Sequence, residues 1–211
     1  MKTNLKKNLI TLCLAGAWVL MSANVHAQKM KLESGTLSFL KGQQNLNVEF
    51  QYDGLTVTKF ATEKDYIEKH MADLDKKEAG RGERWRASWY ADRTNRYEPK
   101  FIELMNKILT DRKAGLSVTR GATCKYTLLV KTTLLDTGWN VGVMRRPAEV
   151  SLNAVFVDAQ DHNKELAVVS IQKAPGRDAW GADFDTGGRL QEGYAKAGKE
   201  LANFVYKQGL K

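Results

Sequence analysis

Trp85 and Trp89 stand four residues apart in RGERWRASWYADR, residues 81–93, in the company of Arg81, Arg84, Arg86, Arg93 and Tyr90. On a helix this spacing puts both indoles on one face with a basic rim beside them. Such a set supports two kinds of chemistry. Left exposed, indoles next to guanidinium groups form a hot spot for a protein partner, or a stacking platform for a glycan or small ligand with anionic groups. Turned inward, they fasten the helix to its neighbours, while the arginines lie over ring faces or pair with Glu83 and Asp92. Packing is the favoured alternative, because tryptophan is highly buried on average. Arg84, Trp85, Arg86 and Trp89 are therefore candidate binding residues weighed against a core role. Two glycine-bearing loops add candidates that packing explains less well: Trp139, Arg145 and Arg146 in DTGWNVGVMRRP, and Arg177 and Trp180 in APGRDAWGADF.

No reaction centre assembles from the remaining reactive residues. From Gln28 onward the chain has two histidines, His70 and His162, and one cysteine, Cys124. A zinc site needs three or four converging ligands, which neither histidine's neighbours supply. No serine sits in a Gly-x-Ser-x-Gly elbow, and GATCKYT lacks the spacing of a phosphate-binding loop. Cys124, in ATCKYTLLV, falls in phase with a strand and reads as a buried, unreactive thiol. Asp158 and Asp161 share a turn. Asp183 and Asp185 lie in GADFDTGG, where capping a helix is a simpler role than binding calcium, which needs about 6–8 oxygen ligands. The expectation is a protein that is not an enzyme, with no catalytic residue, no metal and no cofactor.

The elements that must position these residues follow from hydrophobic period. After a polar lead at 28–34, residues 36–40 and 46–52 are expected as short strands joined by a Gly-Gln-Gln-Asn turn. Tyr66, Ile67, Met71 and Leu74 recur at helical spacing behind Thr62, a suitable N-cap, and Gly80 and Gly82 interrupt or end that helix. Tyr97, Phe101, Leu104, Met105 and Ile108 mark another helix, with Pro99 tolerated in its first turn and an end at 113–115. Three strands follow. Tyr126, Leu128, Val130, Thr132 and Leu134 share one face, as do Ala148, Val150, Leu152, Ala154 and Phe156, and a more evenly apolar run covers 166–171. DAQDHNK makes a hairpin turn between the second and third strands. The loop 174–188 leads into a last helix with the stripe Leu190, Tyr194, Ala197, Leu201 and Phe204. Its Gly193, Gly198 and Ala202 are small enough for close approach to a sheet. The expected fold is α+β: a mixed or antiparallel sheet of about five strands with helices packed on it, as a single domain over 28–211.

The chain begins with Lys2, Lys6 and Lys7, an uncharged run from Asn8 to Met21, and Val25-His26-Ala27, which reads as a secretory signal peptide over 1–27. Leu12 stands where a lipobox has a small residue before its cysteine, so cleavage after Ala27 is expected in preference to lipidation of Cys13. No later apolar run is long enough to span a bilayer. The net charge of +9 includes those three lysines, and 30 basic residues against 24 acidic ones remain from Gln28 onward. Acids and bases are interleaved, which argues against a nucleic-acid groove. One cysteine excludes an internal disulfide.

The ending ATCKYTLLVKTTLLD, EVSLNAVFVDAQDHNKELAVVS and GRLQEGYAKAGKELANFV resembles small α/β domains of bacterial envelope proteins, among them uncharacterised lipoprotein families and the curli-secretion lipoprotein. The resemblance covers roughly the last 90 residues and rests on pattern. It implies the fold and an envelope location, and it transfers no catalytic residue. Together these readings lead to the expectation of a secreted, periplasmic, non-enzymatic interaction or accessory module. An envelope protein or a glycan is the expected partner, and small-ligand or glycan binding through Trp and Arg is the alternative.

Overall fold

Alternating apolar residues build the sheet, and helical stripes cover it. The computed structural model describes residues 28–142, 144–176 and 185–211, so segment 1–27, Arg177, Trp180 and Asp183 lie outside it. In chain order the elements are β1 (Lys29–Gly35), β2 (Asn45–Gln51), β3 (Thr56–Val57), α1 (Glu63–Asp75), α2 (Arg81–Asp92), α3 (Glu98–Asp111), β4 (Ser117–Thr119), β5 (Tyr126–Asp136), β6 (Trp139–Asn140), β7 (Arg145–Arg146), β8 (Ala148–Asp158), β9 (Glu165–Gly176) and α4 (Thr186–Val205).

Seven strands form one mixed sheet in the order β1-β9-β8-β5-β2-β4, with β3 paired to β5 beyond the end of β2. β1, β9, β8 and β5 pair antiparallel, the last three as the expected meander. β2 runs parallel to both β5 and β4, which requires a crossover, and α1 to α3 supply it. Leu128 and Val130 of β5, Ala154 and Phe156 of β8, and Val169 and Ile171 of β9 are fully buried on the helical side. Leu190, Tyr194, Ala197 and Leu201 of α4, which lies on β8 and β9, share one core cluster with them and with Phe101, Met105 and Leu109 of α3, which packs on α4 and β4. One contiguous core runs from Leu37 to Val205, with a small separate cluster of Leu129, Val155 and Val157 on the other side of the sheet.

Several local readings change in three dimensions. The expected polar lead at 28–34 is instead largely edge strand β1, paired on one side to β9: Met30 and Leu32 alternate half-buried against the core, and the exposed Lys29, Lys31 and Glu33 between them give the stretch its polar look. Residues 36–40 are not a strand. Leu37 and Leu40 are three apart and both buried around a short 3₁₀ turn, Ser38–Leu40, a spacing that suits a turn better than a pleat. A register shift between Thr132 and Leu134 moves the buried position to Leu135. Cys124 precedes β5, half-buried, and its Sγ accepts the Asn47 backbone N–H at 3.0 Å. Two strands that the sequence did not signal, β3 and β4, are two and three residues long.

The helical layer has its own irregularity. A π-helical turn, Arg93–Tyr97, joins α2 to α3 without a break in right-handed backbone. Its wider winding rotates the Trp85/Trp89 face relative to the Phe101/Met105 face, so each meets different neighbours. Gly193 approaches the Val150 side chain of the sheet, whereas Gly198 lies against α3. Among the described residues no helix is long and apolar enough to cross a membrane.

Candidate functional site

Thr62 caps α1 by accepting the Asp65 N–H at 3.1 Å, and α2 lies against that helix. Between the two helices Trp89 is 5% exposed, and its indole N–H donates to Glu63 Oε1 at 2.7 Å. Trp85 is half-buried, with ring centroids 4.2 Å from His70 and 5.5 Å from Trp89. Tyr66 closes the group, stacked on His70 at 5.6 Å and 5.2 Å from Trp89. Burial holds the His70 imidazole below its ordinary pKa, which favours the neutral ring. Arg84 and Arg86 lie on the solvent side, paired with Glu78 and Glu83 respectively. The aromatic residues of the 81–93 segment thus join two helices, and its first arginines stand outside that joint.

A polar seam continues inward. Arg93 donates to both Glu63 oxygens, at 2.5 and 2.6 Å, and its guanidinium lies 4.2 Å from the Tyr52 ring centre and 4.9 Å from that of Tyr90. Glu98, only 3% exposed, accepts the Tyr52 hydroxyl at 3.2 Å and pairs with Arg120. Tyr194 shares a 2.7 Å hydrogen bond with Thr132, and Tyr97 stacks on it at 5.0 Å. Burial pushes the Tyr52, Tyr97 and Tyr194 hydroxyls far up, so all three are neutral and not phenolate nucleophiles; those of Tyr52 and Tyr194 are hydrogen-bonded, whereas the buried Tyr97 hydroxyl has no hydrogen-bond partner among the described residues. Nothing in the local sequence signals the roles of Glu63 and Glu98: their partners lie 30 and 46 residues away.

Asp185 caps α4, accepting the Gly187 N–H at 3.0 Å, and pairs with Arg96, which also holds Asp92 at 3.0 Å. Burial opposes ionisation of Asp185, but Arg96 and the N–H groups of Gly187 and Gly188 outweigh it and hold the carboxyl below its ordinary value of 3.8. Burial raises Asp92 despite Arg96, and the nearby Asp185 charge adds to the rise. A depressed folded-state pKa contributes stability that is complete above the ordinary value and is lost as pH falls through the folded one. Asp185→Asn, which keeps a capping side chain, is therefore expected to flatten the loss of melting temperature below about pH 5. Acid limbs of wild type and variant that superimpose would remove this account.

The loop after β5 is a hairpin. β6 and β7 pair Trp139 with Arg146 and Asn140 with Arg145, and the Val141 N–H donates to the Met144 carbonyl at 3.0 Å. Gly142 takes φ +84°, the left-handed backbone needed after Val141, and its N–H bonds to Asn140 Oδ1 at 2.8 Å. At the base, Asp136 pairs with Arg146 at 2.6 Å and accepts the Gly138 N–H. Thr58 meets the Thr137 hydroxyl at 3.1 Å, and the buried Arg189 donates to the Thr137 carbonyl at 3.1 Å. Above this clamp Trp139, Val141 and Met144 are 41, 62 and 62% exposed. Of the candidates read from sequence, Trp139, Arg145 and Arg146 share this hairpin and Trp85 and Trp89 share the helical joint.

His70 and His162 lie on different elements, α1 and the β8–β9 turn, and His162 Nδ1 is 4.0 Å from Glu49. Among the described residues no three His, Cys, Asp or Glu side chains are placed to hold a metal ion. An open depression of about 320 Å³ is lined by Leu104, Pro175, Glu192, Ala195, Lys196 and Lys199. It has no aromatic wall on which a sugar ring could stack. In comparisons with known proteins, no family model matches the chain, and no curated protein or solved structure is significantly similar to it.

Proposed function

We propose that this protein is a secreted, periplasmic, non-enzymatic module of the cell envelope that acts by contact, with the β6–β7 hairpin as its contact element. One observation carries the reading. Of the four large apolar side chains that the described residues leave exposed, three, Trp139, Val141 and Met144, occupy one short hairpin. Exposed apolar groups collected in one place mark interaction sites, whereas single ones scattered over a surface do not. Loops held on a rigid scaffold are where binding residues concentrate, and the clamp at Asp136 and Thr137 supplies the rigidity. The tryptophans of α2, in contrast, spend their surface on each other, on Tyr66 and on His70.

A photo-crosslinking residue placed at Met144 is expected to capture envelope material in the producing cell, while the same residue at Lys107, on the exposed side of α3, captures none above background. Identical capture patterns at the two positions would end the reading.

A further inference from the structure

Cleavage after Ala27 leaves Gln28 as the first residue, and glutamine is a side chain that can close on its own α-amine. The five-membered lactam that results, pyroglutamate, needs no oxidant or cofactor, because both reacting groups belong to one residue. Two features of the fold bear on Gln28. Its side-chain oxygen and nitrogen are both buried and have no hydrogen-bond partner among the described residues, a costly state for a primary amide. It also leads straight into edge strand β1, where Lys29 follows it, Gln172 lies across from Lys29, and no acid occurs among residues 28–32. Glu33, the first acid along the strand, is held by Lys31 and Ser170.

We propose that Gln28 is a modification site and that the mature protein begins with pyroglutamate. The inference rests on the secretion proposed above and goes beyond the contact role of the hairpin. The unprotonated α-amine of Gln28 attacks the side-chain Cδ; a bond from the amine nitrogen to Cδ forms, the bond from Cδ to Nε2 breaks, and ammonia leaves with the proton that the amine gives up. An α-amine titrates at about 7.7–8.0, so its nucleophilic form is well represented near neutral pH, and a lysine next in the chain with no free acid nearby disfavours the ammonium further. Ring closure removes the positive charge and the unpaired NH2 donors together. What remains is a compact neutral ring ahead of β1. Exopeptidases that need a free amine then find none. This protects the fold, because the residues they would remove first are β1 itself: Met30 and Leu32 pack on the core, and the strand covers one edge of β9.

The test is mass spectrometry of the N-terminal peptide of the protein taken from its producing cell, with α-amines labelled at lysis, before any digestion. The expected wild-type peptide starts at Gln28, weighs one ammonia less than its sequence requires and carries no label. Gln28→Ser, cut at the same bond, is expected to carry a labelled α-amine and to be shortened into β1 by a broad-specificity aminopeptidase that leaves the wild type intact. A wild-type peptide that starts at Gln28 and is labelled, or a wild type trimmed as readily as the variant, overturns the proposal and leaves secretion standing. A peptide that starts at another residue, or a chain that keeps residues 1–27, removes both.

Discussion

Arg93→Ala is expected to lower the unfolding free energy by about 3 kcal/mol, one of the two largest effects of any single change considered for this molecule. The Glu63 and Arg93 side chains retain only 16 and 19% of their exposure, so the pair is largely removed from water. Removing the cation leaves the Glu63 carboxylate with the Trp89 indole N–H as its remaining hydrogen-bonding partner of those described. It also takes away the guanidinium from between the Tyr52 and Tyr90 rings, a contact worth up to about 2 kcal/mol when desolvated. Deleting both members costs less than the sum of the single deletions, because no charge is then stranded. Urea unfolding of Arg93→Ala, Glu63→Ala and the double variant measures this directly. A loss below about 1 kcal/mol with additive singles would reduce the pair to an ordinary surface ion pair.

Gly198→Leu is expected to cost about 3 kcal/mol or more through a different mechanism. A Cβ added at Gly198 would stand 2.3 Å from the Phe101 carbonyl oxygen and 3.1 Å from its carbon, both backbone atoms of α3. A flexible side chain could turn aside. A helix backbone cannot, so α3 and α4 must separate and reopen the packing of Phe101 and Leu201, both fully buried. Gly188 in the first turn of the same helix is the control. A Cβ there meets nothing nearer than the Asp185 carboxylate at 3.5 Å, and Gly188→Ala should stabilise by about 0.5 kcal/mol, from helix propensity alone. Calorimetric melting of the two variants is expected to move in opposite directions, and a Gly198→Leu protein as stable as wild type would show that the two helices do not touch there.

The aromatic and basic content of the candidate sites was legible, but their roles were not. Trp85 and Trp89 could be read as sharing a face, because helical period is local. Whether that face met water depended on α1, whose Tyr66 and His70 complete the joint from some 20 residues away. The loop DTGWNVGVMRRP was visible as glycine-bearing and rich in Trp and Arg. Its pairing as a hairpin, and the exposure of Val141 and Met144, came from the clamp that Asp136, Thr58 and Arg189 place on its base.

Read by itself, the sequence determined the α+β class, the meander of β5, β8 and β9 and the covering stripe of α4, since each is a repeated burial pattern over more than ten residues. Only the tertiary structure decided the parallel pairing of β2 with β5 and β4, the edge strand β1 and the Glu63–Arg93 and Glu98–Arg120 pairs. The division has a physical cause. Burial of a face imposes a period that neighbours in sequence share, whereas strand partners and ion pairs are chosen across space, between residues whose separation along the chain leaves no local trace.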